Sequence, residues 1–190
     1  MNIAVTRAAE GLARRAWTVA EIRQMVEAGI IAEDENFELI EGEAVPMASK
    51  GNQHEVVKSA LISLLARHIS ADMRLAVETS LYLAEHTFLE PDICVYEKRI
   101  LPEDVRGPDV LLAIEVAASS LVYDSGLKAR IYAKHGVREL WVVEAASRVT
   151  WVHMRPGVDG SWGTVEKRPA EAVLTTPVLR GLAIRMADLD

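Results

Sequence analysis

The stretch LLAIEVAASSLVYDSGLKARIYAKHG, residues 111 to 136, decides how the rest of the chain is read. It opens as an unbroken apolar run, as a strand covered on both faces would, yet carries a carboxylate, Glu115, near its end. Strand alternation puts Leu111, Ala113, Glu115 and Ala117 on one face and Val110, Leu112, Ile114 and Val116 on the other. A carboxylate at the end of a buried strand is costly to desolvate unless a cation or hydrogen-bond donors meet it. The small neighbours Ala113 and Ala117 leave room for such a partner. Residues 122 to 135 then read as a helix closed by Gly136, with Lys134 and His135 complementing the dipole of its last turn. At a spacing of four, Tyr123, Leu127 and Ile131 are expected to face the sheet, with Asp124, Lys128 and Tyr132 as an adjoining polar stripe. Spacing alone favours Lys128 as the partner of Asp124 in a solvated salt bridge. It leaves Glu115 open between an exposed strand end and a ligand site.

Working outward, 190 residues suffice for one well-packed core and are few for two. Lys and Arg total 21 against 28 Asp and Glu, a net charge of −7, which argues against a tight non-specific DNA binder. The single cysteine, Cys94, cannot form an intrachain disulfide and reads as a small core residue on a strand. That cysteine usage fits a reducing compartment, and a cytoplasmic protein is expected; MNIAVTRAAEGLARRAW has no continuous apolar segment of signal-peptide type. No uncharged apolar run reaches membrane-spanning length, so no membrane association is expected.

Residues 1 to 16 read as a loosely held arm, and 17 to 190 as a single domain. Thr18 and Glu21 form a capping box for a helix over 19 to 28, with Gly29 ending it. FELIEGEAVPM predicts a hairpin turning at Glu41-Gly42, with Pro46 at an edge or exit. Asn52 and Glu55 resemble another cap, for a long amphipathic helix over 53 to 69. Strands are expected over 74 to 83, 92 to 97, 110 to 117 and 140 to 144, with a final hairpin from VTWVHM and SWGTVEK. The pattern is an α/β domain: a mixed β-sheet flanked by helices, with an N-terminal helix and β-hairpin extension.

The chain carries no glycine-rich phosphate loop, no His-x3-His pair and no G-x-S-x-G elbow. What remains is acidic. Pro91-Asp92 brings a second carboxylate to the start of strand 92 to 97. Two carboxylates converging from adjacent strands, with a backbone carbonyl and waters, suit a hard ion such as Mg²⁺.

Several segments in order resemble the Uma2 family (DUF820) of the PD-(D/E)XK restriction-endonuclease-like superfamily. They are FELIEGEAVPM, QHEVV, EPDICVY and IEVAASSLVYDSGLKARIYAKHGVRELWVVE, spanning residues 17 to 155. The resemblance implies a mixed sheet that presents Asp and Glu from neighbouring strands to one or two divalent ions. In the superfamily a lysine stands two residues after the glutamate, where this chain has Ala117; in the Uma2 branch it comes from the following helix. Carried over residue by residue, Asp92 and Glu115 become metal ligands, the Val116 carbonyl a further ligand and Lys128 the relocated lysine. Asp124 and Tyr132 match family positions, and His54, Glu55 and Glu41 are outer candidates for which a cap or surface role serves as well. Ala118, Leu140 and Glu144 depart from the family pattern, and only Ala118 adjoins the site, where it removes an outer hydrogen bond that would support the metal ligands and so bears on metal affinity more than on fold.

The function these features imply is Mg²⁺- or Mn²⁺-dependent phosphodiester hydrolysis on nucleic acid, with DNA as the expected substrate. The alternative is a catalytically inactive nucleic-acid- or protein-binding module on the same fold. A homodimer is expected by family analogy, since two sites cut two strands most simply. Trp151 and Trp162 suit either its interface or the core.

Overall fold

The computed structural model describes residues 11–47 and 50–189, and the backbone of 5–7. In chain order the first elements are β1 (Val5–Arg7), β2 (Ala13–Arg15), α1 (Val19–Glu27), β3 (Phe37–Ile40), β4 (Glu43–Pro46) and α2 (Asn52–His68). Then come β5 (Met73–Val77), β6 (Leu81–Ala84), β7 (Thr87–Leu89), β8 (Ile93–Glu97) and β9 (Leu112–Ala117). A broken helix follows, formed by α3 (Leu121–Tyr123), a π turn (Asp124–Lys128) and α4 (Ala129–Lys134). The chain ends with β10 (Glu139–Glu144), β11 (Thr150–Pro156), β12 (Trp162–Arg168), β13 (Val173–Thr175) and β14 (Ala183–Arg185). Among the described residues no helix is long and apolar enough to cross a membrane.

These elements form two compact units, Met1–Met47 with Ser80–Glu90, and Ala48–Thr79 with Pro91–Asp190. The first holds α1 and a four-stranded sheet in the order β4-β3-β7-β6. Thr18 caps α1 as its sequence requires: its hydroxyl accepts from the Glu21 N–H, and the Glu21 carboxylate accepts from the Thr18 N–H. The hairpin β3–β4 turns at Glu41 and Gly42, both at positive φ (50° and 88°), where a tight turn matches strand twist. A Cβ at Gly42 would lie 2.5 Å from the Ala16 Cβ, so glycine is required there twice over. Ile22, Leu39 and Phe88 make this unit's core. The expected arm over 1 to 16 falls partly outside the described residues; within them, β1 pairs antiparallel with β2.

The second unit is built on a six-stranded sheet, β12-β11-β10-β9-β8-β5. Only β9 and β10 run parallel; every other neighbour is antiparallel. α2 lays Val57, Leu61 and Leu65 against Ile93, Val95, Leu112, Ile114, Val116, Trp141 and Val143. This is the face assigned to Leu112, Ile114 and Val116 by alternation, and β9 is buried along its whole length. The opposite face of β9, with Ala113, Glu115 and Ala117, is the one that Lys128 and Tyr132 approach.

Three local expectations are corrected. Residues 74 to 83 are two strands in different sheets, because the chain turns at Glu78, whose φ is 48°. The cap of α2 is Gly51 in extended conformation with no side-chain cap bond, leaving Asn52 as the first helical residue. The helix over 122 to 135 is interrupted by the π turn, which shifts its phase. Asp124, Lys128 and Tyr132 are consequently buried, whereas Leu127, expected against the sheet, is 42% exposed. Gly126 and the Ser125 hydroxyl, which donates to the Leu121 carbonyl at 2.6 Å, are residues that tolerate such a break. Trp162 is tied into the fold: its Nε1–H donates to the Ala129 carbonyl at 2.9 Å and its ring meets His153 edge-on.

Candidate active site

The register of β8 against β9 pairs Ile93 with Ile114, so Asp92 and Glu115, one step outward on each strand, stand across from one another. Both are only 4% exposed. Neither is a bare buried charge. The Asp92 Oδ2 accepts from the Val116 N–H at 2.8 Å and lies 3.0 Å from His54 Nε2. Its Oδ1 faces the Lys50 ammonium at 3.3 Å. Burial alone would raise the Asp92 pKa; the bonds from His54 and Val116 and the charge of Lys50 outweigh it and hold the carboxyl below its usual range. The Glu115 Oε1 accepts from the Tyr132 hydroxyl at 2.6 Å and pairs with the Lys128 ammonium at 2.8 Å.

Lys128 therefore meets the strand glutamate. The solvated salt bridge favoured by helical spacing is excluded for Lys128, which is only 4% exposed. The π turn is the physical reason: it delivers Lys128 and Tyr132 to Glu115 from adjoining turns of one helix. Asp124 is also buried and accepts from the Ser120 hydroxyl at 2.5 Å.

His54, in the first turn of α2, stands between two carboxylates, with Nδ1 3.0 Å from Glu55 Oε1. Burial lowers its pKa, but Asp92 and then Glu55 raise it to a net value above the ordinary one. Glu55 also accepts from the Lys58 ammonium at 2.8 Å, the largest cause of its lowered pKa. Glu41 belongs to the first unit, where its N–H donates to the Thr87 hydroxyl at 3.2 Å. Cys94 lies on β8 beneath this site; burial and the charge of Glu115 push its thiol up to about 12, so it stays protonated.

Three residues escaped the sequence reading: Lys50, Lys58 and Glu78. Glu78 Oε1 accepts from both Lys50 and Lys58, each at 2.5 Å. Lys58 could have been found, since it follows His54 by four on the same helix. Lys50 and Glu78 give no local signal, being 28 residues apart and joined only by the fold.

The donor set suits a hard divalent cation. It comprises two buried carboxylate oxygen donors facing each other across adjacent strands, with the Val116 peptide next to one of them. Among the described residues no group of three or more His, Cys, Asp or Glu side chains is gathered around one point. An ion here would keep much of its coordination for carbonyl, water or substrate oxygens, as Mg²⁺ commonly does.

A crystal structure of "a putative nuclease belonging to DUF820" from Anabaena variabilis superposes with a TM-score of 0.72, covering 90% of this chain and 96% of that one at 18% identity. At that identity the likeness establishes the fold. No curated protein matches by sequence. The profile of the Uma2 family, described as "putative restriction endonuclease", matches residues 19–187. With nearly the whole sequence matched, the chain belongs to the Uma2 family.

Proposed function

We propose that this chain is a divalent-metal-dependent endonuclease that hydrolyses phosphodiester bonds in nucleic acid, with DNA as its substrate. The observation that carries the reading is the opposition of Asp92 and Glu115 with the Lys128 ammonium 2.8 Å from Glu115. Asp92, Glu115 and the Val116 carbonyl would hold Mg²⁺ or Mn²⁺. The chemistry such an ion supplies when bound is neutralisation of phosphate charge and acidification of water.

The chain's own residues divide the remaining work. The Val116 N–H and His54 fix the Asp92 carboxylate, so it need not reorganise when a phosphate arrives. Tyr132 does the same for Glu115 through its 2.6 Å bond. Lys128, with three donors on its ammonium, would orient the attacking water or offset charge developing on the phosphoryl oxygens. Asp124 would act at one remove, holding the helix start through Ser120. His54 and Glu55 are proposed as outer groups around Asp92. A homodimer, with one site for each strand, belongs to the same proposal, and sedimentation at several concentrations tests it.

The catalytic test is cleavage of plasmid and single-stranded substrates with Mg²⁺ or Mn²⁺ by the wild type, Asp92→Ala and Lys128→Ala. The wild type should cut and both variants should lose at least about a hundredfold in rate. Equal cutting by all three would assign the activity to a contaminant. The net charge of −7 favours a second reading, a non-catalytic binding module on this fold. Metal binding abolished in Glu115→Ala would exclude that reading.

A further inference from the structure

The two oxygens of Asp92 have unlike partners. Oδ2 is held by a peptide N–H at 2.8 Å and by His54 at 3.0 Å. Oδ1 faces Lys50 at 3.3 Å, the longest of the three contacts. Lys50 precedes α2 and its side chain is 25% exposed, unlike Lys128, which is buried against Glu115. Its nearer partner is Glu78 Oε1 at 2.5 Å. Glu78 in turn is anchored from the other side by the buried Lys58 at 2.5 Å. The backbone fixes Glu78 as well: its N–H donates to the Asp92 carbonyl at 3.2 Å, and its φ of 48° is left-handed, which costs a non-glycine residue about 1 kcal/mol. A strained turn thus holds a carboxylate beside the candidate metal ligand, and that carboxylate holds an ammonium.

We infer that Lys50 is a displaceable counter-ion of Asp92, which yields Oδ1 to an incoming divalent cation and, still tethered to Glu78, turns to a phosphate of the nucleic acid. The inference rests on the metal-dependent nuclease reading. Two ammoniums share Glu78 Oε1, but a divalent cation on Asp92 Oδ1 would set a double positive charge against the Lys50 ammonium, and that added repulsion favours its withdrawal. Lys50 is the cation that can leave: it has the longest contact, partial solvent access, a flexible stem and a second carboxylate to retain it. Lys58 is the one that cannot, being buried between Glu55 and Glu78. On a chain of net charge −7, a lysine released at the site also supplies a backbone contact that the general surface does not favour.

The test is calorimetric titration of Mn²⁺ into the full chain as wild type, Lys50→Gln, Lys50→Arg and Asp92→Asn, with thermal melts to verify folding. Lys50→Gln should bind Mn²⁺ about fivefold more tightly than wild type. Lys50→Arg should match wild type, and Asp92→Asn should lose binding. In Ca²⁺, Lys50→Gln should bind a duplex oligonucleotide more weakly, with the slope of log K against log salt reduced by about 0.9. Wild-type Mn²⁺ affinity in Lys50→Gln, alongside lost binding in Asp92→Asn, would overturn the inference and leave the nuclease reading intact. The same gain in Lys50→Arg as in Lys50→Gln, or an unchanged salt slope, would also overturn it. Absence of Mn²⁺ binding by the wild type would remove both the inference and the reading beneath it.

Discussion

Replacing Lys128 by Met separates the two positions this residue could occupy, on the wet face of a helix or in the site. The ammonium is 2.8 Å from Glu115 Oε1, and both side chains are 5% exposed. At an effective dielectric constant of about 20, that separation corresponds to about 6 kcal/mol of gross attraction before desolvation. Removing one partner of a buried pair typically costs about 3 to 5 kcal/mol, because the other charge stays behind. The Tyr132 hydroxyl, which bonds the same oxygen, retains part of the compensation, so about 3 kcal/mol is expected for Lys128→Met. A solvated i, i+4 pair would be worth only about 0.3 to 0.5 kcal/mol. Urea denaturation in EDTA at neutral pH, applied to Lys128→Met, Glu115→Gln and the double variant, measures the coupling directly. A coupling of about 2 to 3 kcal/mol is expected, with the double variant recovering much of the loss. A coupling below about 0.5 kcal/mol would refute the buried pair and, with it, the delivery of Lys128 by the π turn.

Tyr132→Phe removes the 2.6 Å bond to Glu115 and should cost about 1.5 kcal/mol, read by the same denaturation series. Gly107→Ala would put a Cβ 1.9 Å from the His135 carbonyl oxygen, so a loss of at least about 2 kcal/mol and a lower Tm are expected. Burial raises the Glu139 pKa above 4.5 despite bonds from Thr176 and Trp141, so its contribution to stability is present below pH 4.5 and lost as pH rises through the folded value. Thermal melts across pH should show Glu139→Gln gaining on the wild type over that rise, and a gain toward low pH instead would contradict the assignment. Burial lowers the His153 pKa below 6.5 despite backbone bonds at Trp151 and Leu140, so the neutral ring is favoured and stability falls with acidification below pH 6.5. His153→Gln should flatten that slope.

Much of the architecture was legible because it rests on short-range rules. The capping box of Thr18 and Glu21, the turn at Glu41 and Gly42 and the two faces of β9 follow from neighbours two to four residues apart. The Glu115 face of β9 was readable from alternation, and Asp92 from its place at the start of a strand. Whether Glu115 met a cation was not readable, because a helix of uniform pitch leaves Lys128 beside Asp124 on a polar stripe. The family motif pointed to Lys128 where spacing did not.

Sequence by itself therefore determined the central strands β8, β9 and β10, the two faces of β9 and the pair of carboxylates, since a period of two survives whatever the strand packs against. Tertiary structure decided the rest. The π turn rephases the helix by local changes too small to mark in composition, and it brings Lys128 and Tyr132 onto Glu115. Glu78 reaches Lys50 and Lys58 across 28 and 20 residues. An ion pair between distant side chains is set by the register of β5 against β8 and by the placement of α2. Neither is written in the spacing of the residues themselves.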